Sequence, residues 1–328
     1  MKTTRRLVLL LALLVIALLM GIRVGAVNLA LADIVSALSG QADGATRAIV
    51  IGLRTPRVVL AALCGAALAL SGSTCQALLR NPLADPYILG ISSGAAVGAV
   101  AAVVSGAANG PGWVIPAGAF VGSLLALALV LRIATIAGEA IDGRILILAG
   151  VVVAAFSNAI VLLFLTFADV EAFRSATFWM MGSLSGATWP RALTIAVPLA
   201  AAGVVLFGHA RSLDALAIGD TTAAALGVSV ERTKRTCFVL ASLLAAVSVS
   251  VSGVVGFVGL VTPHAIRLLW GSEHRLGLPA SALLGASFLV FADIGARSLV
   301  RTTELPLGVV TALIGVPFFV MLLRRRHA

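Results

Sequence analysis

Charged residues are scarce in this chain: Asp, Glu, Lys and Arg make up only 11% of its 328 residues. Soluble domains usually carry about 25% charged residues. Hydrophobic residues make up 60% of the chain, and its mean hydropathy is +1.12. These values exclude an ordinary soluble domain and predict an integral membrane protein.

Lysine is rarer still, because the chain has only Lys2 and Lys234. Neither follows a glycine, so the glycine-rich phosphate loop that ends in Gly-Lys is absent and the chain cannot be its own ATPase. The acidic residues map to predicted loops or helix ends, so no intramembrane proton or sodium relay is evident. His264 stands alone in "VTPHAIR", outside any HExxH pattern. An ion-coupled secondary transporter and an intramembrane enzyme are therefore disfavoured, but both stay open.

Apolar stretches of about 20 residues, enough to cross a hydrocarbon core about 30 Å thick, recur along the whole chain. They predict an all-α integral membrane protein with one domain, residues 1–328, and about ten transmembrane helices. The eighth is expected to be short or broken because Gly253, Gly256, Gly259 and Pro263 interrupt it. The predicted helix centres are Leu14, Leu68, Val97, Leu124, Ala155, Pro198, Ala245, Ile266, Phe288 and Leu313.

Basic residues concentrate in alternate connections of this topology. With the N-terminus inside, fifteen of the 23 lysines and arginines fall on the cytoplasmic side, so both termini are predicted to be cytoplasmic. The net charge of +10 is then explained by basic loop residues that set the membrane orientation, so we expect no nucleic-acid partner. The first 26 residues also resemble a secretory signal, but Arg23 beside the would-be cleavage site favours a retained helix.

Small residues are expected to pack helices together. Pairs spaced four apart, Gly94/Gly98 and Gly118/Gly122, let helix backbones approach closely in lipid. The three cysteines, Cys64, Cys75 and Cys237, have no disulfide or metal-ligand spacing and are predicted to be packing residues.

The longest polar connection, residues 209–235, lies between the sixth and seventh predicted helices. Gly219 and Gly227 interrupt it, and Asp220 is predicted to cap a short helix that begins at Thr221. The loop is therefore predicted to form two short surface helices. A structured loop of this length is usually functional. It is either a solvated connector or a docking platform for a partner that supplies energy.

Three arginines fall on the predicted outer face, against the positive-inside bias: Arg54 and Arg57 in "LRTPR", and Arg297 in "ADIGAR". Cations retained there favour an acidic partner or substrate. The alternative is local, because Asp293 and Arg297 are four residues apart and can pair along one helix face.

The stretch "RNPLADPYILGISSG", residues 80–94, places two prolines, an amide and an acid between two apolar helices. The prolines should prevent this turn from forming a helix and leave backbone groups without hydrogen-bond partners. Such unpaired groups are tolerated within a membrane protein only along a water-filled path.

Seven segments together resemble the permease family of ABC importers for ferric siderophores, haem and vitamin B12. They cover nearly all of residues 54–323 in order: "LRTPRVVLAALCGAALALSGSTCQALLRNPLADPYILGISSGAAVGA", "DGRILILAGV", "FWMMGSLSGATW", "IGDTTAAALGVSVERTKR", "GFVGLVTPHAIRLL", "LPASALLGASFLVFADIGAR" and "ELPLGVVTALIGVPFFVMLL". The resemblance implies a type II ABC importer permease fold and a homodimer of ten-helix subunits. It also implies two cytoplasmic ATPase subunits, which would bind ATP and Mg²⁺, and an extracytoplasmic substrate-binding protein; no cofactor is expected in this chain itself.

Site residues follow from the same resemblance. Arg54, Arg57 and Arg297 match positions that receive acidic residues of the binding protein. The gates after the second helix and before the fifth correspond to Asn81, Leu83, Asp142 and Gly143; where the family often has hydroxyl residues, this chain has Asp142 and Gly143. The coupling helices that contact the ATPase correspond to Leu213, Ile218, Asp220, Thr221, Ala224, Leu226 and Gly227.

The expected function is that of a non-enzymatic permease subunit in the cytoplasmic (inner) membrane that translocates an iron chelate, a ferric siderophore or haem. Import of vitamin B12 is the alternative within the family. The sequence does not choose among these cargoes, because specificity resides mainly in the binding protein.

Overall fold

A computed structural model describes residues 2–25, 29–137, 143–300 and 303–325. The gate candidate Asp142 lies outside these residues. Within them the regular structure is entirely helical. The α-helices are α1 (Lys2–Arg23), α2 (Leu31–Leu38), α3 (Gly44–Arg47), α4 (Thr55–Leu78), α5 (Ile91–Val104), α6 (Val114–Ala137), α7 (Gly143–Thr166), α8 (Val170–Met180), α9 (Trp189–Gly208), α10 (Ala210–Ile218), α11 (Asp220–Ala225), α12 (Val230–Ser252), α13 (Val258–Trp270), α14 (His274–Ser298) and α15 (Leu307–Arg325).

Each of the ten predicted membrane segments has its centre in one of these helices. Among the described residues, seven helical segments are long and apolar enough to cross a bilayer, and α5 and α15 are shorter apolar helices. The eighth segment is α13, only 13 residues long and preceded by the irregular residues 253–257. The prediction of a short eighth segment is therefore confirmed, and the membrane fold is all-α as expected.

Helix α4 lies at the centre of the fold. Eighteen of its 24 residues are buried, and it packs against α9, α12, α13 and α14. A Cβ built on Gly65 would overlap the carbonyl of Gly285 in α14, and one on Gly72 would overlap Gly259 in α13. Residues without side chains therefore let α4 touch two neighbouring backbones directly, as expected for helix packing in lipid.

The predicted close packing of the small-residue pairs is confirmed in α5 and α6. Gly94 lies against Gly122 and Gly98 against Gly118, so these two helices run antiparallel with their backbones in contact. A side chain at any of the four positions would meet a main-chain atom of the partner helix.

The three cysteines are free and buried, which agrees with their predicted packing role. Helix α1 packs on α14 and contributes Ala17 to the core, an arrangement expected of a helix that belongs to the membrane domain. A π-helical segment, Ala48–Arg54, runs directly into α4 and brings Arg54 to the end of α1.

Candidate functional site

The three predicted outer arginines lie at one end of the bundle, where α4 begins and α1 and α14 end. Arg54 donates from Nη1 to the carbonyls of Ile22 and Arg23, both at 2.9 Å. Arg297 donates to the carbonyls of Gly21 and Val24 at 3.1 and 3.2 Å. Together the two guanidinium groups bind carbonyls at the C-terminal end of α1, which a helix end otherwise leaves without intrahelical partners.

Arg57 and Arg297 share the carboxylate of Asp293, which is only 1% exposed. Arg57 Nη2 and Arg297 Nε each lie 3.0 Å from one of its oxygens. The predicted pairing of Asp293 with Arg297 along α14 is therefore present. Arg57 makes a second, bidentate ion pair with Glu304, with both N–O distances 2.9 Å. Its hydrogen bonds lower the pKa of Glu304 below the ordinary value.

Burial limits what these arginines offer to a partner. The side chain of Arg57 is 12% exposed and that of Arg297 is 7% exposed. Buried charges are stable when they are paired, and here Arg57 and Arg297 face the carboxylates of Asp293 and Glu304 while Arg54 binds backbone carbonyls. Their role in docking a binding protein stays a prediction, and it requires Arg57 to be approached through the more exposed Glu304 side.

A semi-enclosed cavity of about 350 Å³ adjoins this cluster. It lies between the C-terminal ends of α8 and α12 and the beginnings of α6, α9 and α15. Arg191 stands at its edge and donates to the carbonyls of Gly186 and Gly112. The polar side chains around it are Ser183, Ser185, Arg191, Ser250, Ser252 and Glu304.

The turn after α4 is an ordered structure. Asn81 Oδ1 accepts from the backbone N–H of Leu83 at 2.9 Å, and Asp85 Oδ1 accepts from that of Tyr87 at 2.8 Å. Pro86 occupies the first turn of a short 3₁₀-helix, Pro86–Leu89. The expectation that the prolines leave the backbone groups of this turn unpaired is therefore wrong: both prolines are compatible with the turn, and the side chains of Asn81 and Asp85 pair its N–H groups. Burial raises the pKa of Asp85 to about 6.

The described parts of the two predicted gate segments lie near each other, since Leu79 and Gly143 line the same small cavity. A Cβ built on Gly143, the first residue of α7, would lie 3.2 Å from Leu79 Cδ2, two residues before Asn81. Leu83 is 38% exposed and available to a second copy or to water. Opening and closing of these segments stays a prediction.

The long polar connection contains the two predicted short helices, α10 and α11. The predicted cap is wrong in detail: α11 begins at Asp220 itself, its N-cap is Gly219, and the Asp220 carboxylate binds Lys234 Nζ at 2.6 Å. Asp214 on α10 accepts from the backbone N–H of His274 at 2.9 Å and pairs with its imidazole Nδ1 at 2.6 Å. The loop is thus anchored to both α12 and α14.

The predicted coupling residues fall into two groups. Leu213 is fully buried and anchors α10, so it presents no surface to a partner, contrary to the role expected of it. Ile218 is 72% exposed and Leu226 67% exposed. Thr221, Ala224 and Gly227 are exposed beside them, which leaves an apolar surface at this end of the molecule.

Comparison with known proteins assigns this architecture. The profile of the FecCD transport family matches residues 13–325, nearly the whole chain. The chain belongs to the FecCD transport family.

Relatives of this FecCD-family chain are named as import permeases. It is 46% identical over 284 residues to the cobalamin import system permease protein BtuC of Halobacterium salinarum, covering 86% of this chain and 75% of the relative. It is 40% identical over 279 residues to the vitamin B12 import system permease protein BtuC of Vibrio parahaemolyticus, covering 85% and 83%. A solved ABC transporter described as inward-facing and of the metal-chelate type matches with a TM-score of 0.88 at 32% identity, covering 98% of this chain and 99% of that one.

These comparisons confirm the predicted resemblance and the type II permease fold: the chain is a multi-pass ABC importer permease, a transport subunit.

Sequence reasoning missed two charged partners in this FecCD-family chain, Glu304 and Lys234. Glu304 is the first residue of "ELPLGVV", and Lys234 lies in the charged run "ERTKR"; neither sequence context indicates a partner on another helix.

Proposed function

We propose that this permease translocates cobalamin or a related corrinoid across the cytoplasmic membrane. The 46% identity over 284 residues to a permease named for cobalamin import carries the proposal. The Vibrio parahaemolyticus relative, named for vitamin B12 import, supports the same cargo. This cargo was the alternative in the sequence analysis, and the relatives favour it over an iron chelate.

An iron chelate is the second candidate. The solved transporter of the metal-chelate type is 32% identical and matches nearly the whole chain. Because a type II permease offers the same helical frame to both cargoes, the distinction depends on the binding protein that delivers them.

The working assembly that we propose is a homodimer with two ATPase subunits and an extracytoplasmic binding protein. A cavity of about 350 Å³ lies at the low end of pockets for drug-sized ligands, roughly 300–1,000 Å³, so a corrinoid needs space that a second copy contributes. Large apolar side chains are exposed on α7 and α15, including Leu148, Phe156 and Leu313, and support burial against a second copy or lipid.

Energy enters this assembly from outside the chain. The exposed Ile218 and Leu226 support docking of an ATPase that binds ATP and Mg²⁺, at the end of the molecule that is predicted to be cytoplasmic. No cofactor is assigned to the permease itself. Closure of the ATPases moves the coupling loop, which is the polar connection of residues 209–235. The segments around Asn81, Leu83, Asp142 and Gly143 then open or close the path for the cargo.

Uptake measured in intact cells tests the cargo. The permease is expressed with the ATPase and the binding protein of its own cell in a host without its own cobalamin permease, and radiolabelled cyanocobalamin, ferric siderophore and haem are offered in parallel. We expect cobalamin to accumulate, and accumulation to stop when the phosphate-loop lysine of the ATPase is replaced by alanine. Accumulation of an iron chelate without cobalamin would establish the second candidate, and uptake that survives loss of the ATPase would establish an ion-coupled transporter.

A further inference from the structure

The side chain of Lys234 connects three segments that the proposed transport cycle must move together. We propose that Lys234 is the positioning residue through which the coupling loop acts on the segments around Asn81, Leu83 and Gly143. The inference rests on the proposed ABC importer function and adds a residue that the coupling and gate assignments do not contain.

The charged end of Lys234 binds the coupling loop. Its Nζ lies 2.6 Å from Asp220 Oδ2, at the first residue of α11, while the lysine side chain is only 9% exposed. Arg80 reaches the same oxygen from the turn after α4, but at 3.8 Å and with 47% of its side chain exposed. Because solvent screens exposed pairs much more than buried ones, Lys234 is the stronger of the two partners of Asp220.

Lys234 also borders both predicted gate segments. It lines a small cavity together with Leu78, Leu79 and Phe238, and with the first turn of α7 at Gly143 and Leu146. Leu79 directly precedes the turn that carries Asn81 and Leu83. One buried residue therefore pairs with α11 and shares a cavity with residues next to both predicted gate segments.

A buried cation holds an anionic partner strongly, because charges removed from water are stabilised by pairing. Movement of α11 must therefore either carry the Lys234 head with Asp220 or break the pair. In the first case the Lys234 side chain shifts against Leu79 and Gly143, which line the same small cavity. The first turn of α7 at Gly143 then moves together with the turn that carries Asn81 and Leu83.

Lys234→Met tests this link in the assembled transporter, reconstituted in liposomes with its ATPase and binding protein. Methionine keeps an unbranched apolar stem and removes only the charged head, and Asp220, with 39% of its side chain exposed, can be solvated afterwards. We expect ATP hydrolysis to change by less than about twofold and the cargo transported per ATP to fall about tenfold, within the range of typical coupling between two sites.

Two further variants separate coupling from folding. Lys234→Arg keeps a cation near Asp220 and should recover most of the cargo-to-ATP ratio. Arg132→Met removes an exposed cation at the end of α6 and should leave the ratio unchanged. Equal losses of hydrolysis, transport and thermal stability in Lys234→Met would mean that the residue only stabilises the fold, and would overturn the proposal.

The gate itself supplies an independent readout. Leu83→Cys, in a background without Cys64, Cys75 and Cys237, reports whether the turn responds to ATP. With Lys234 unchanged, we expect the labelling rate of Leu83→Cys to differ between the nucleotide-free and ATP-trapped states. Adding Lys234→Met should abolish that difference while hydrolysis continues. An unchanged difference would overturn this inference alone, whereas a wild-type complex that transports nothing on ATP would overturn the proposed function.

Discussion

Glu304 accepts hydrogen bonds from both terminal nitrogens of Arg57 at 2.9 Å, although 247 residues separate the two. The pair lies at the beginning of α4, and about half of the Glu304 side chain is exposed while Arg57 is nearly buried. An acidic residue of a docking partner that used Arg57 would approach from this side. Glu304 therefore occupies the position that such a carboxylate would take.

Glu304→Gln is expected to strengthen docking of an acidic binding protein, because it removes the competing charge. Exposed ion pairs contribute about 0.2–1 kcal/mol, so the dissociation constant should fall by up to about fivefold at low salt. The gain should vanish at high salt, where the Debye length is short. Binding is measured with the permease in nanodiscs.

Glu171→Gln is the matched control, since it removes an exposed acid of the first turn of α8 that is predicted to lie on the same face. It should change the affinity less than Glu304→Gln does. Weaker docking in Glu304→Gln would show instead that Glu304 orients Arg57 for its partner.

Asp85→Asn is expected to stabilise the chain above about pH 6. Burial raises the pKa of Asp85 from 3.8 to about 6, so folding favours the protonated form. The stability that this carboxyl contributes is complete below the unfolded pKa and is lost as the pH rises through the folded pKa. Asparagine keeps an oxygen for the N–H of Tyr87 and carries no charge, so the advantage of the variant should grow between pH 4 and 6 by at most about 3 kcal/mol.

The measurement is the free energy of unfolding in mixed detergent micelles across that pH range. Asp43→Asn provides a control of opposite sign: Asp43 is exposed, and its hydrogen bonds with Thr46 lower its pKa. Its contribution is present above the unfolded pKa and is lost as the pH falls. A flat difference between wild type and Asp85→Asn would mean that the turn is hydrated in solution.

The contrast between what the sequence predicts and what it misses follows from distance along the chain. Helix positions, the glycine pairs of α5 and α6, and the two short helices of the coupling loop all depend on neighbours within a few turns or on simple patterns. The predicted Asp220 cap failed because Lys234, 14 residues away, binds the carboxylate instead. Glu304 was missed for the same reason, since no local spacing encodes a partner on another helix.

Gly98→Ala is expected to destabilise the membrane domain, because the added methyl would overlap the carbonyl of Gly118. Overpacking of this kind typically costs about 1–3 kcal/mol, since α5 and α6 must separate to accept it. Gly52→Ala adds the same methyl where nothing lies within 4 Å and should leave stability nearly unchanged. Thermal unfolding in detergent compares the two, and equal midpoints would show that α5 and α6 can separate without loss.

The last prediction concerns the turn after α4. Leu83 is 38% exposed, whereas its neighbour Ala84 is 1% exposed. If the turn opens and closes around the path of the cargo, a cysteine at Leu83 must alternate between a wet and a closed environment. A thiol reacts with a water-soluble reagent only where water reaches it, so the labelling rate of Leu83→Cys should differ severalfold between the nucleotide-free and the ATP-trapped complex.

Ala84→Cys is the matched control, because its side chain points into the fold and should label slowly in both states. Both variants are made in a background without Cys64, Cys75 and Cys237. Cysteines at Leu83 of two copies should also form a disulfide in the closed state, because bridging needs Cα atoms within about 7 Å. That disulfide should stop transport, and reduction should restore it. Equal labelling rates of Leu83→Cys in both nucleotide states, with no disulfide formed, would show that the turn is a rigid connection between α4 and α5 and is not part of the gate.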